Sequence, residues 1–143
     1  MRIIGFNFET IKAERIATKD IEKVNVKHKV DLKDIKQDTV KIGKKQNIIK
    51  ASFKFSVKYE PEVGNIEIHG NILLNDEEKK INEVLENWKK NKKLDKESTM
   101  VVMNTILMRS NIKALTMAQD VNLPPHIPLP KITPEVKEDN YIG

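Results

Sequence analysis

The 143-residue chain contains no cysteine, only three arginines, and few aromatic residues, which make up 5% of the sequence. Without cysteine, disulfides, thiol catalysis and zinc–thiolate sites are excluded. No stretch approaches the run of about eighteen apolar residues that a membrane helix needs. The N-terminal stretch MRIIGFNFETIKAER also lacks the long apolar core of a secretory signal. We therefore expect a cytoplasmic protein without a membrane span.

Lysine dominates the charge of the chain, which has a net charge of +5 and 33% charged residues. Lysine is a strongly hydrated point charge, whereas arginine is the usual reader of phosphates and bases. We interpret the lysine excess mainly as a source of solubility, with nucleic-acid binding as the alternative. A composition rich in Lys, Glu and Ile and free of cysteine is also typical of thermophile proteins.

Alternation of apolar and polar residues predicts an antiparallel sheet. In KASFKFSVKY, Lys50 to Tyr59, the aromatic residues fall on one face and the lysines on the other. After a turn at Pro61 and Gly64, the stretch Asn65 to Leu74 alternates in the same way, so the two form a hairpin. The aromatic rings point into the core, which argues against a sheet that stacks bases on an exposed face.

Two further strands precede this hairpin. The stretch from Ile3 to about Ile16 alternates less cleanly and predicts an N-terminal strand with a bulge. The stretch Val24 to Leu32 predicts another strand, with His28 on its apolar face, and Thr39 to Ile42 adds a short piece of strand.

The apolar spacing then changes to that of helices. A first helix is predicted over Asp76 to Lys93, with acidic residues in its first turn and lysines at its end. A second, long helix is predicted to be capped by Ser98 and to run to about Val121. The predicted fold is α+β, a four-stranded antiparallel sheet followed by two helices, in a single domain over residues 1–133. Residues 134–143 are predicted to form a flexible tail.

No motif in the chain indicates catalysis, and we expect no enzyme activity, no cofactor and no metal site. The three histidines, His28, His69 and His126, lack metal-ligand spacing and are interpreted as unrelated. Gly43 stands alone in KIGKK and does not make a phosphate-binding loop.

The second helix carries more apolar residues than one sheet can cover. Besides its main stripe it has Met108, Ile112 and Met117 at other angles. We predict that these three residues contact a second copy of the chain in a dimer or tetramer. The alternative is that methionines fill an irregular core.

The order of elements and several motifs resemble the SecB family of export chaperones. RIATKDI, from Arg15 to Ile21, resembles that family's first-strand motif, and KVDLK, from Lys29, resembles the start of its second strand. The hairpin of KASFKFSVKY and NIEIHGNILL, the helix MNTILMRSNIKAL and the following LPPHIPLPKI resemble later elements in position and pattern. The resemblance covers roughly residues 8 to 132. The chain departs from the family in its basic charge and in the additional charged helix.

The resemblance implies an oligomeric chaperone that holds unfolded protein or peptide clients in apolar grooves without ATP. The candidate client-binding residues are Leu123, Ile127, Leu129 and Ile132, which alternate with four prolines in VNLPPHIPLPKI. Prolines keep such a segment extended at low entropic cost. The alternative for the segment is a rigid connector that plugs the edge of the core. The alternatives for the whole protein are a lysine-rich nucleic-acid-associated protein and an antitoxin-type subunit dedicated to one partner.

Overall fold

A computed structural model describes residues 1–16, 23–130, 132 and 134, and it contains four strands and two helices. The elements are listed here in chain order: β1 (Arg2–Arg15), β2 (Asn25–Ile42), β3 (Lys44–Glu60), β4 (Gly64–Asn75), α1 (Glu78–Asn91) and α2 (Lys96–Asp120). The strands form one antiparallel sheet in the order β1-β4-β3-β2. The predicted α+β fold, a four-stranded antiparallel sheet followed by two helices, is confirmed. The predicted tail over residues 134–143 lies outside the described residues except for Pro134.

The central strands β3 and β4 form because their apolar residues recur at every second position. Phe53, Phe55, Val57 and Tyr59 of β3 are all buried on one face of the sheet. The isoleucines of β4 pair with them across the ladder, as Ile68 does with Phe55. The predicted phase of this hairpin is confirmed, with the rings in the core and the lysines facing outward.

Both edge strands are irregular, and β2 is longer than the sequence predicted. Strand β1 has two register shifts, between Ile3 and Gly5 and between Phe8 and Thr10, which confirms a bulged strand. Strand β2 does not end at Leu32 but continues to Ile42 through a register shift between Leu32 and Asp34. The bulge returns Ile35 to the buried face, and the Asp34 carboxylate accepts a hydrogen bond from the Ile35 amide at 2.9 Å. The predicted separate piece at Thr39 to Ile42 is therefore part of β2.

Two glycines stand where a side chain would be unfavourable. Gly43 joins β2 to β3 at φ +71°, a backbone conformation that residues with a side chain rarely adopt. A Cβ atom at Gly70 would lie 2.7 Å from the ring of Phe53 and would also meet the backbone of β1. Because Gly70 has no side chain, the ring of Phe53 can pack against the sheet at this position.

The two helices begin differently. Helix α1 follows Glu77, whose side chain makes no capping hydrogen bond, and it ends at Lys92 in the left-handed conformation. Helix α2 is capped by Asp95, whose carboxylate accepts a hydrogen bond from the Ser98 amide at 3.1 Å. The prediction that Ser98 caps this helix is wrong, because Ser98 is the buried third residue and Asp95 is the cap.

Both helices contribute to one hydrophobic core with the apolar face of the sheet. Helix α1 buries Ile81, Val84 and Trp88 and contacts β2 and β3. Helix α2 contacts all four strands, and Ile106 and Ala114 are completely buried along it. Within the described residues, neither helix has the length and apolar character needed to cross a membrane.

Candidate functional site

Residues 123–130, here called the proline segment, follow α2 and are attached to the core at three points. The Leu123 amide donates to the Ala118 carbonyl at 2.8 Å. The Tyr59 hydroxyl donates to the Pro124 carbonyl at 2.7 Å, and His126 Nε2 lies 2.8 Å from Asn111 Oδ1. These contacts hold the segment against β3 and the last turns of α2.

The first attachment is a helix C-terminal motif that the sequence encodes. Asn122 takes the left-handed conformation at φ 59°, and its amide donates to the Gln119 carbonyl at 3.2 Å. Together with the bond from Leu123 to Ala118, this is the Schellman arrangement, in which the second residue past the helix packs back on its last turn. The order Val-Asn-Leu-Pro is the sequence signal for it. This signal explains why Leu123 points inward.

The proline segment is buried at its start and exposed toward its end. Leu123 is 5% exposed and belongs to the core, so it offers little of its own surface to a client. Ile127 is half-buried, Leu129 is 50% exposed, and Ile132, just beyond the segment, is 81% exposed. The first half of the segment closes the core edge, and the second half presents aliphatic side chains to solvent.

A cleft of about 370 Å³ lies between the last turns of α2 and the proline segment. Leu115 and Ala118 of α2 form one wall, and Leu123, Pro125 and Leu129 form the other. The cleft is lined mainly by apolar side chains and opens beside the exposed half of the segment. It has the dimensions and chemistry to accept one or two apolar side chains of an extended peptide.

The outward face of α2 forms a second candidate surface, here called the α2 stripe. Its members are uncharged and follow one another at intervals of three or four residues: Met100, Asn104, Met108, Ile112, Leu115 and Gln119. Met108 is 60% exposed and Ile112 is 63% exposed. Between Met100 and Gln119 the only charged residues are Arg109 and Lys113, four residues apart on another side of the helix. The stripe therefore presents an apolar surface to solvent.

Met117 does not belong to the α2 stripe. It is only 6% exposed and packs in the core with Ala114 and Ala118. The prediction that Met117 faces a second subunit is therefore wrong for the structure as described. Its burial agrees with the alternative, that methionines fill an irregular core, because Met117 lies on the side of α2 that faces the sheet.

Sequence reasoning missed a cluster of rings beneath the proline segment. The buried ring of His126 lies edge-on to Phe55, with centroids 6.0 Å apart, and edge-on to His28 at 6.1 Å. His28 and His126 are thus neighbours, and the interpretation of three unrelated histidines is wrong for this pair. Nothing in the local sequence of either residue indicates the contact, which arises because the segment folds back over β2 and β3.

Tyr59 supports this arrangement through its hydroxyl. Burial raises the pKa of Tyr59 to about 12, so the phenol stays neutral and remains a hydrogen-bond donor to the Pro124 carbonyl. Since the ring is itself part of the core, this bond ties the proline segment to the central strand of the sheet.

Lysines face one another at three positions of the ladder between β2 and β3. The directly opposed pairs are Lys27 with Lys58, Lys36 with Lys50, and Lys41 with Lys45. Like charges in opposed positions destabilise a strand pair. Nearby carboxylates offset part of this repulsion, since Lys27 pairs with Glu60 at 3.3 Å and Lys36 with Asp34 at 3.4 Å.

No protein-family model, curated protein or solved structure gave a significant match to this chain. The resemblance to the SecB family therefore rests on the motifs and the element order alone. Residues Thr18 to Ile21 of its RIATKDI motif lie outside the described residues.

Proposed function

We propose that this protein is an ATP-independent holding chaperone or peptide-binding module that captures unfolded or extended protein segments. The observation that supports this most directly is the apolar cleft beside the exposed half of the proline segment. Exposed apolar surface that is continuous with a preformed cleft marks an interaction site more often than scattered surface residues do. The resemblance to SecB-type chaperones points to the same activity.

Client contact is assigned to Ile127, Leu129 and Ile132, with Leu115 of α2 on the opposite wall of the cleft. The prolines hold the segment extended before any client arrives, so ordering it costs little entropy on binding. The client is an extended chain with aliphatic or aromatic side chains, because the cleft offers apolar contacts and none of the described residues that line it is charged. Leu123 contributes by holding the base of the cleft in place.

The α2 stripe is assigned to a second copy of the chain. Met108 and Ile112 lie at its centre, and a stripe without charges along this length of helix suits a partner helix better than water. We propose a dimer or tetramer in which the stripes of neighbouring copies pack together. In that assembly Met108 and Ile112 form the centre of the interface, and Leu115 and Gln119, which also line the client cleft, lie at its edge.

The direct test is suppression of aggregation of two unrelated unfolded proteins, without nucleotide, at low and high salt. We expect both proteins to be protected and the protection to persist at high salt, because apolar contact is not weakened by screening. The double variant Leu129→Ser, Ile132→Ser should lose most of this protection while its unfolding curve stays close to that of the parent protein.

A matched control is Ile11→Ser on β1, because Ile11 is 48% exposed and lies away from the proline segment in the fold. It removes an exposed aliphatic side chain that does not line the cleft, and it should leave protection unchanged. Equal protection by the Leu129, Ile132 variant and the Ile11 variant would overturn the assignment of the client site. Protection of only one of the two unfolded proteins would instead favour an antitoxin-type subunit with a dedicated partner.

The opposed lysine pairs of β2 and β3 favour a second candidate, binding of nucleic-acid phosphates along the sheet. Three like-charged pairs cost stability, and a phosphate that lies across them would add to the offset that Glu60 and Asp34 provide. Such binding weakens steeply with salt, unlike client capture. Fluorescence anisotropy with a short DNA duplex at two salt concentrations, on the parent protein and on Lys50→Gln, Lys58→Gln, distinguishes the two functions.

A cytoplasmic location and a role in protein transport belong to the same proposal. They rest on the resemblance to SecB-type chaperones and on the cysteine-free composition.

A further inference from the structure

His126 sits in the proline segment with one ring nitrogen paired and the other unpaired. It is 5% exposed, and its Nε2 atom lies 2.8 Å from Asn111 Oδ1. An amide oxygen can only accept, so Nε2 carries the proton and donates it. Nδ1 is then an unprotonated nitrogen, and it is buried with no hydrogen-bond partner among the residues that the structure describes. The neutral form of the ring suits this site.

None of the described groups around the ring accepts a hydrogen bond from a proton on Nδ1. Strand β3 presents the ring of Phe55, α2 presents the neutral amide of Asn111, and β2 presents His28. Of these groups only His28 can carry a charge, and a charge there repels one on His126. Burial, and to a smaller extent His28, hold the pKa of His126 below its ordinary value of 6.5.

Protonation of Nδ1 would place a charged N–H group in a dry position without an acceptor. A buried unpaired charge costs far more than a buried neutral ring, and water restores the lost hydrogen bonds only if the ring leaves the pocket. Leaving is feasible because His126 lies at a bend of the proline segment, which ends in exposed residues, and not in the middle of a strand or helix. The attachment at Leu123 remains as a hinge.

We propose that the His126–Asn111 contact, here called the latch, holds the proline segment closed at neutral pH and releases it on acidification. Release uncovers Phe55 and the wall of α2 beneath the segment, and it enlarges the apolar cleft for clients. The latch adds regulation to the proposed client site, and its significance for client binding rests on the proposed function. The opening of the segment itself is independent of any client.

The direction of the pH effect follows from proton linkage. The released ring titrates with its ordinary pKa of 6.5, whereas the latched ring has a lowered pKa. The latched state is therefore fully favoured above about pH 6.5. Below that value the ratio of released to latched segment rises by up to roughly tenfold per pH unit, until the lowered pKa of the latched ring is passed.

Absence of cysteine allows a clean probe of the latch. The variant Leu129→Cys places a single thiol on the exposed half of the segment, where a polarity-sensitive fluorophore can be attached. Its emission is recorded from pH 7.5 to pH 5, with far-UV circular dichroism to verify that the fold is retained. We expect a reversible change of emission that develops as the pH falls below 6.5.

The three histidines supply matched variants in this labelled background. His126→Gln keeps a donor for Asn111 but cannot be protonated, and it should abolish the change. His28→Gln removes the repelling charge and should shift the change to a lower pH or reduce its amplitude. His69→Gln serves as the control, because His69 lies on β4 beside Glu67 at 3.2 Å and not near the segment. An unchanged transition in His126→Gln, or its loss in His69→Gln, would overturn the latch.

If His126→Gln fails to fold, Asn111→Leu answers the same question. It removes the acceptor from the latch, and the fluorophore should then report a released segment at pH 7.5. A latched signal in this variant would count against the proposal. Aggregation suppression measured at pH 7.5 and pH 6 separates the two proposals. If the emission depends on pH but clients are not protected, the chaperone function is refuted and the latch is not. If clients are protected but the emission does not depend on pH, the latch is refuted and the chaperone function is not.

Discussion

The two helices lie on the same sheet but differ on the side that faces away from it. The outward side of α1 is covered by charged residues, among them Glu86 and Lys90, which form an ion pair at 3.1 Å. The outward side of α2 is uncharged along the α2 stripe and exposes Met108 and Ile112. Charged helix surfaces are typical of contact with water, whereas an uncharged apolar one is typical of contact with protein. Helix α1 therefore serves the core alone, whereas α2 serves the core and also presents an apolar surface for contact with protein.

The largest effect is expected on assembly. The double change Met108→Lys, Ile112→Lys places two charges at the centre of the α2 stripe and should weaken self-association by about 4–8 kcal/mol, which is at least a thousandfold. Light scattering at micromolar concentration should report a dimer or tetramer for the parent protein and a monomer for the variant. Asn82→Lys on the exposed side of α1 is the control and should leave the mass unchanged. A parent protein of only 16.5 kDa would contradict the difference between the helices.

The inner sides of the two helices should behave alike. Trp88→Ala on α1 is expected to cost about 3–5 kcal/mol and Ile106→Ala on α2 about 2–5 kcal/mol, because each removes a buried side chain from the common core. Urea unfolding measures both values. If Trp88→Ala cost less than about 1 kcal/mol, α1 would be an appendage of the fold and not part of its core.

The two ends of the proline segment differ in burial, and substitutions at them should differ in their effect on stability. Leu123→Ser removes a buried side chain and introduces a hydroxyl group, at a cost of about 2–5 kcal/mol. Leu129→Ser changes an exposed residue and should alter stability by less than about 1 kcal/mol. Thermal unfolding of the two variants should differ accordingly. Equal losses would mean that the whole segment plugs the core.

The smallest effect concerns the first turn of each helix. Asp95→Ala removes the capping bond to the Ser98 amide and should destabilise the protein by about 0.5–2 kcal/mol. Glu77→Ala removes no capping bond and should cost no more than a few tenths of a kcal/mol. Chemical denaturation of both variants checks the difference. A larger loss for Glu77→Ala would show that α1, and not α2, depends on its N-terminal side chain.

Local patterns in the sequence were sufficient for much of the fold. The alternation in Lys50–Tyr59 predicted which side of β3 is buried, because side chains on a strand point to opposite faces in turn. The acidic start and lysine-rich end of the first helix predicted α1 to within a few residues. Such patterns depend on neighbours close in the chain, and they are read without knowledge of the fold.

The register shift within β2 and the features that depend on distant partners were not predicted. The bulge at Leu32 and Asp34 changes the phase of β2, so a pattern with a strict period of two seemed to end there. Met117 was assigned to a subunit interface because its side of the helix could not be related to the sheet before the packing was known. Ser98 is a good capping residue by type, but the backbone geometry makes Asp95 the cap of α2.

The sequence by itself determined the class of the fold and the buried face of β3, since both follow from the periodicity of apolar residues. Only the tertiary structure decided that Leu123 closes the core while Leu129 stays exposed, and that His28, Phe55, Asn111 and His126 meet beneath the segment. These four residues come from β2, β3, α2 and the segment after it. Their proximity follows from the path of the chain over the sheet, and no local pattern in the sequence contains that path.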